Sequence, residues 1–260
     1  MPLRHKLKHI LDIKMSSSEK ALENRVILVT GASYGIGRAA TYAFAEAGAT
    51  VIMLARTEDM LDEIYDELLA KGLPEPVIVA FDLEKAQEEA YFQLRDMIGK
   101  EFGHLDGLLL NASMLGQRTP ISNYNWQTWN RVMNLNLNSQ FLMSRTLLPL
   151  LEEAAADASM LFTSSSVGRQ GKAFWGAYGV SKFAIEGLMQ TMASELENIS
   201  NVRVNSINPG ATRTSMRAEA YPAENPASVK EVEALMKQYV YLFSAQSKHI
   251  NGQALDYSEE

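Results

Sequence analysis

Tyr178 and Lys182 stand four positions apart in Tyr178-Gly179-Val180-Ser181-Lys182, within a segment that reads as helix to about residue 199. Residues i and i+4 share a helix face, so a phenol and an ammonium can project into one site. A phenol of pKa about 10 is a poor base at neutral pH, and bringing it near 7 takes on the order of 4 kcal/mol of preferential phenolate stabilisation, part of which a nearby ammonium can supply. The same spacing also occurs on helix surfaces without any chemical role. A second constellation is Thr30-Gly31-Ala32-Ser33-Tyr34-Gly35-Ile36-Gly37, between an apolar run and a helical segment. A turn free of side chains lets the backbone approach a pyrophosphate, which the amides and macrodipole of the following helix N-terminus attract. Three glycines can also be an ordinary strand-to-helix turn, but the place after the first strand and before the first helix favours binding.

Elements must hold these groups in register. From residue 25 onward, short apolar runs alternate with longer amphipathic segments, with strands expected at 26–29, 50–55, 76–81, 105–110, 159–163 and 202–207. Helices are expected at 36–47, 58–71, 86–102, 126–154 and 177–199. Continuous apolar strands spaced by helices indicate an α/β fold, a single-domain, Rossmann-type, doubly wound parallel sheet with helices on both faces. Length alone permits two domains in 260 residues, but no Ser/Pro-rich joint or internal repeat divides residues 23–260.

Composition narrows the function classes. With 24 Lys+Arg against 31 Asp+Glu the net charge is −7, which predicts no nucleic-acid partner and no general attraction to anionic membranes. No apolar run approaches the ~18 residues of a membrane span. The absence of cysteine excludes disulfides, Cys-ligated metals and a cysteine nucleophile, and it suits a reducing compartment, with the cytoplasm as the default. No metal site is expected, because His5 and His9 lie in the terminal segment and His104 and His249 have no ligand cluster around them. Residues 1–22 read as a basic, flexible tail. A surface-lying basic helix is the alternative, and a secretory signal is disfavoured because Lys8, His9 and Asp12 interrupt every apolar stretch.

The glycine spacing and the Tyr-x-x-x-Lys pair together resemble the short-chain dehydrogenase/reductase family, whose signatures are Thr-Gly-x-x-x-Gly-x-Gly and Tyr-x-x-x-Lys. The resemblance covers about residues 24–256 and implies an NADP(H)-dependent oxidoreductase moving a hydride between nicotinamide and a carbonyl/alcohol small molecule. By that resemblance Gly31, Ser33, Tyr34, Gly35, Ile36 and Gly37 form the cofactor turn, Tyr178 exchanges the proton, and Lys182 also holds the ribose hydroxyls. Ser165, thirteen residues before Tyr178, takes the position of the serine that holds the substrate oxygen, with Ser164 and Ser166 as rivals. Asn136 corresponds to the residue that anchors a water beside the lysine. Asn134 and Asn138 compete for that role, and a helix-kinking part is the plain alternative for Asn136. Asn111 stands where the family reads Asn-Asn-Ala-Gly, here Leu110-Asn111-Ala112-Ser113, and Asp82 matches the acid that contacts the adenine. In Asn208-Pro209-Gly210-Ala211-Thr212-Arg213-Thr214 the residues after the Pro-Gly turn, Thr212 and Thr214 among them, match those that meet the nicotinamide carboxamide.

Cofactor choice turns on Leu54-Ala55-Arg56-Thr57. NAD-selective relatives carry an acid about 20 positions past the glycine turn, whereas Arg56 follows Gly37 by nineteen and offers a guanidinium to a 2′-phosphate, with Ser33 and Thr57 as supporting donors. Thr57 also reads as a helix N-cap ahead of Glu58 and Asp59. The stretch from Thr163 to Lys182, with Asn208 to Met216, looks like the YciK-type subgroup. A homodimer or homotetramer is expected from surplus apolar residues, Phe141, Leu142, Leu147, Leu148, Leu150, Leu188, Met189 and Met192, on helices that the family pairs between subunits. A catalytically idle dinucleotide-binding sensor is the main rival, disfavoured by the intact Ser165, Tyr178 and Lys182. A nucleotide-sugar epimerase or dehydratase is disfavoured by the short stretch after Gly210. The substrate itself is hidden, because the segments 113–123 and 212–230 mix apolar residues with Arg118, Arg213 and Arg217.

Overall fold

Strand β1 (Val26–Thr30) is buried along its whole length, and alternate side chains point to opposite faces of the sheet. Val26 and Leu28 join one core, while Ile27 and Val29 join the other, so a run with no polar interruption is what a sheet covered on both sides requires. A computed structural model of the chain describes residues 20–258, and the basic stretch of residues 1–14 lies outside them.

The remaining strands are β2 (Thr50–Ala55), β3 (Val77–Ala80), β4 (Gly107–Leu110), β5 (Ala158–Thr163), β6 (Val202–Asn208) and β7 (Ala254–Asp256). They form one seven-stranded sheet in the order β3-β2-β1-β4-β5-β6-β7, every pair parallel. Helices α1 (Gly35–Glu46) and α2 (Asp59–Ala70) cover one face together with α8 (Met236–Phe243). On the other face lie α3 (Glu88–Phe102), α5 (Ser139–Glu152) and α6 (Gly176–Leu196). Helix α4 (Trp126–Met133) precedes α5, and the short α7 (Ser215–Ala220) stands in the excursion after β6. That excursion is closed at its base by a bridge between Thr212 and Lys230. The Rossmann-type, doubly wound single-domain fold expected from the alternation is therefore the fold observed.

Four details differ from the sequence reading. The expected helix over 126–154 is broken by a π-helical turn at Asn134–Asn138, a widening that periodicity does not register. Leu22, assigned to the tail, is fully buried and its amide donates to the Ala47 carbonyl at 2.9 Å; a lone apolar residue has no period to announce it. Helix α2 starts at Asp59 with Glu58 as its cap position, so Thr57 lies outside the helix and is not its N-cap. Of the apolar residues taken as surplus, Leu147, Met189 and Met192 are spent on the chain's own core, while Phe141 stays exposed and is joined by Val180 and Phe183 of α6.

Candidate active site

A cavity of about 520 Å³ opens at the carboxyl ends of the strands, beside the point where the order turns from β1 to β4. This is where ligands enter doubly wound sheets. Gly31, Ser33, Tyr34, Gly35, Ile36, Arg56, Asp82, Asn111, Ser165, Tyr178, Pro209, Gly210, Thr212 and Thr214 all line it. Gly37, Asn136 and Lys182 stand behind that lining.

The glycine turn is tight for identifiable reasons. Gly31 and Gly35 have φ of +68° and +54°, a region that side chains other than glycine's rarely tolerate. At Gly37 a Cβ would sit 2.1 Å from the Gly31 carbonyl oxygen, so the first turn of α1 packs directly on the end of β1. Tyr34, at the cap position of α1, supplies no side-chain acceptor to the helix amides, which leaves them for an anion. Thr30 fixes the neighbouring loop: its Oγ1 accepts from the amides of Asn111 (2.9 Å) and Ala112 (3.1 Å) and donates to the Leu109 carbonyl. Asn111 in turn donates to the Thr30 carbonyl and accepts from Thr163, tying together β1, β4 and β5.

At one end of the cavity Arg56 and Thr57 face Asp82, Leu83 and Glu84. Arg56 is exposed and has no carboxylate within ion-pairing distance among the described residues. Glu84 is its acidic neighbour, but that carboxylate is gripped by Arg131 of α4 through bonds of 2.6 and 3.2 Å, and it is held below its usual pKa chiefly by the Arg131 bond. Sequence reasoning missed Arg131 and Glu84. They lie 47 residues apart and no motif links them.

At the opposite end, Tyr178 is almost fully buried, and burial pushes its phenol up to about 12, while the neighbouring Ser165 hydroxyl acts in the opposite sense. Ser165 is thus the serine against the phenol. Ser166 is exposed and does not line the cavity, whereas Ser164 lines it and has a buried Oγ with no partner among the described residues. Lys182 is fully buried, its Nζ donating to the Thr163 carbonyl at 2.6 Å and lying 5.6 Å from the centre of the Tyr178 ring. Burial draws its ammonium down to about 8, and the charge of Glu186, one turn further along α6, acts in the opposite sense. Glu186 was also missed, although its i+4 spacing from Lys182 was readable. It accepts from Ser206 (2.7 Å) and Arg169 (3.2 Å), and Arg169 bonds Asp256, which accepts from Asn208 beside the Pro-Gly turn.

Asn136 sits in the π-helical turn with both amide hydrogens spent, on the Met114 carbonyl (2.9 Å) and Ser181 Oγ (3.1 Å), while its Oδ1 accepts from the Met114 amide. Asn134 and Asn138 bond each other on the exposed side. The kinked helix and the loop after β4 are therefore joined through Asn136. Thr214 lines the cavity and caps α7, its Oγ1 accepting from the Arg217 amide at 3.1 Å, and its methyl approaches the Cβ direction of Gly35 at 3.3 Å. Thr212 is buried and bonds the Pro209 carbonyl.

Such a turn and such a polar cluster at the end of one parallel sheet define a dinucleotide-dependent oxidoreductase fold, and the chain belongs to the short-chain dehydrogenase family, whose model matches residues 25–225. It is 45% identical to the oxidoreductase YciK of Escherichia coli over 90% of this chain and 92% of that one. A solved short-chain dehydrogenase from Pseudomonas syringae is 54% identical, with a TM-score of 0.90 over 93% of this chain and 97% of that chain. Another, from Escherichia coli CFT073 and solved in complex with NADPH, is 44% identical, with a TM-score of 0.88 over 92% and 98%. No helix among the described residues is long and apolar enough to cross a membrane.

Proposed function

We propose that this oxidoreductase reduces a small-molecule carbonyl with NADPH, in a reaction that reverses with NADP and the alcohol. One observation carries the reading: Tyr178, Ser165 and Lys182 converge at one end of a cavity whose other parts are a glycine turn and an unpaired arginine. The turn fits a pyrophosphate because its backbone is bare and the α1 amides have no side-chain cap. Arg56, with Thr57 and Ser33 beside it in the lining, fits a 2′-phosphate, and Arg131 pairs with Glu84, an acid that would repel it. Asp82 stands at the adenine end, and Asn111, Pro209, Gly210, Thr212 and Thr214 border the ribose and nicotinamide end.

When bound, the reduced nicotinamide supplies a hydride to the carbonyl carbon. Ser165 holds the carbonyl oxygen and Tyr178 gives it a proton, so ketone and NADPH become alcohol and NADP. Burial keeps the phenol protonated at neutral pH, the form that donates. The buried Lys182 ammonium then stabilises the phenolate left behind, in a region where water screens little. The spent side chain of Asn136 leaves its main chain as the group for any water relay toward Lys182.

Cofactor choice tests the Arg56 assignment. NADPH is expected to bind at least about tenfold more tightly than NADH at low salt, with the gap narrowing as salt rises, and Arg56→Asp is expected to abolish or reverse it. Equal calorimetric affinities in the unmutated protein would show that Arg56 points elsewhere. The exposed Phe141, Val180 and Phe183 of α5 and α6 support a homodimer or homotetramer. A light-scattering mass near the 28.9 kDa of one chain at micromolar concentration would contradict it. The lack of cysteine suits a cytoplasmic setting, which cell fractionation would check.

A further inference from the structure

Three arginines stand near the Tyr178 end of the cavity, and they differ in what holds them: Arg217 is part of the lining, whereas Arg118 and Arg213 lie outside it, Arg118 touching the lining residues Trp175, Ala220 and Tyr221. Arg213 pairs with Glu231, and its Nε donates to the Pro226 carbonyl at 2.9 Å. Arg217 grips Glu224 through bonds of 2.7 and 2.5 Å while lying 3.8 Å over the Tyr221 ring. Arg118, on the loop after β4, has no carboxylate within ion-pairing distance among the described residues. Its Nη1 donates to the Ala220 carbonyl at 2.8 Å, and its guanidinium lies 4.2 Å from the centre of the Trp175 ring and 5.5 Å from that of Tyr221. Trp175 is itself 5.6 Å from Tyr178, centre to centre.

A guanidinium carries five N–H donors in a planar fork, so one backbone carbonyl leaves most of Arg118 unspent. Stacking on aromatic rings fixes the plane of the fork in advance, which lowers the entropy lost on gripping a planar anion. If Arg118 served only to staple its loop to α7, a neutral donor would suffice and no charge would be needed. Here the charge is present and is reinforced by Lys172, whose Nζ lies 6.0 Å from the same Tyr221 ring. The indole Nε1 of Trp175 is buried without a partner among the described residues, a further donor lacking an acceptor. Around these donors the wall has an apolar stretch made by Leu115, Met216 and Ala220.

We propose that the carbonyl substrate carries a carboxylate, gripped by Arg118 beside Trp175 and separated from the reacting carbonyl by an apolar stretch. In short, the substrate class is an apolar oxo acid, or the hydroxy acid in the reverse direction. This rests on the redox reading above and adds no new step to it, because the carboxylate is bound and does not react.

The test compares levulinate and longer straight-chain oxo acids with their methyl esters as oxidants of NADPH, and in parallel titrates octanoate and octanamide into the NADP-loaded protein by calorimetry. The acid is expected to exceed its ester at least about tenfold in kcat/KM, mainly through KM, the size of one charge-assisted pair. Octanoate is expected to bind correspondingly better than octanamide. Arg118→Ala should collapse both ratios, and Arg118→Lys, which keeps the charge but not the fork, should recover part of them. Retained NADP binding by each variant would confirm that it folds. Equal values for acid and ester, or a preference that survives Arg118→Ala, would overturn the proposal. If neither acids nor esters consume NADPH, the oxo-acid substrate class fails, and the redox reading is decided separately on other carbonyl compounds. The anion site then stands or falls on calorimetry alone: an Arg118-dependent preference for octanoate supports it, and equal binding of acid and amide overturns it.

Discussion

Tyr178→Phe is expected to lower turnover by at least about two orders of magnitude while changing NADPH affinity by no more than a few-fold. The substitution removes one oxygen from a ring that is otherwise packed against Trp175, so the wall of the cavity and the glycine turn keep their shape. What disappears is the proton that the alkoxide must receive and the hydroxyl that neighbours Ser165. Without it the oxygen has only Ser165 and water to draw on, and Lys182 has no phenolate to stabilise. Stopped-flow kinetics of NADPH oxidation, with binding followed by calorimetry, separates the two quantities. Near-normal turnover in the variant would remove Tyr178 from the chemistry.

A smaller but still large loss, in binding, is expected from Gly37→Ala. The new methyl would lie 2.1 Å from a backbone oxygen and 2.8 Å from Asn111 Nδ2. Neither neighbour is the free end of a flexible side chain, so α1 must move off β1. Overpacking of this kind costs about 1–3 kcal/mol, and if most of that falls on the cofactor-competent turn, NADPH affinity drops by roughly ten- to a hundredfold. The melting temperature is expected to fall as well. Gly171→Ala is the matched control, since nothing lies within 4 Å of the Cβ it would add. Unchanged NADPH affinity in Gly37→Ala would mean that the turn does not cradle the cofactor.

The sheet was legible because the central strands β1, β2 and β4 are largely apolar runs, and the alternation of such runs with helical segments leaves few other topologies. The place of the glycine turn was legible for the same reason. Less visible were features that depend on groups distant in the chain. The kink at residues 134–138 answers to the bonds between Asn136, Met114 and Ser181, which no local period encodes. The Arg131–Glu84 pair joins α4 to the loop after β3, and the Arg169–Glu186–Ser206 network joins α6 to the last strands. The three serines 164–166 could not be ranked by composition. Burial and contact with Tyr178 separate them. Likewise, the arginines of the substrate segments looked alike in the sequence and differ only in which of them a carboxylate already occupies.

Hydride transfer itself is the central claim, and it is tested most directly with NADPH deuterated at the transferring position of the nicotinamide. The protein would be incubated with a panel of carbonyl compounds and the products analysed by mass spectrometry. The account predicts an alcohol carrying the deuterium on the former carbonyl carbon, formed in step with NADP. NADPH that binds tightly yet passes no deuterium to any compound of the panel would contradict it and leave a dinucleotide-binding protein without redox turnover.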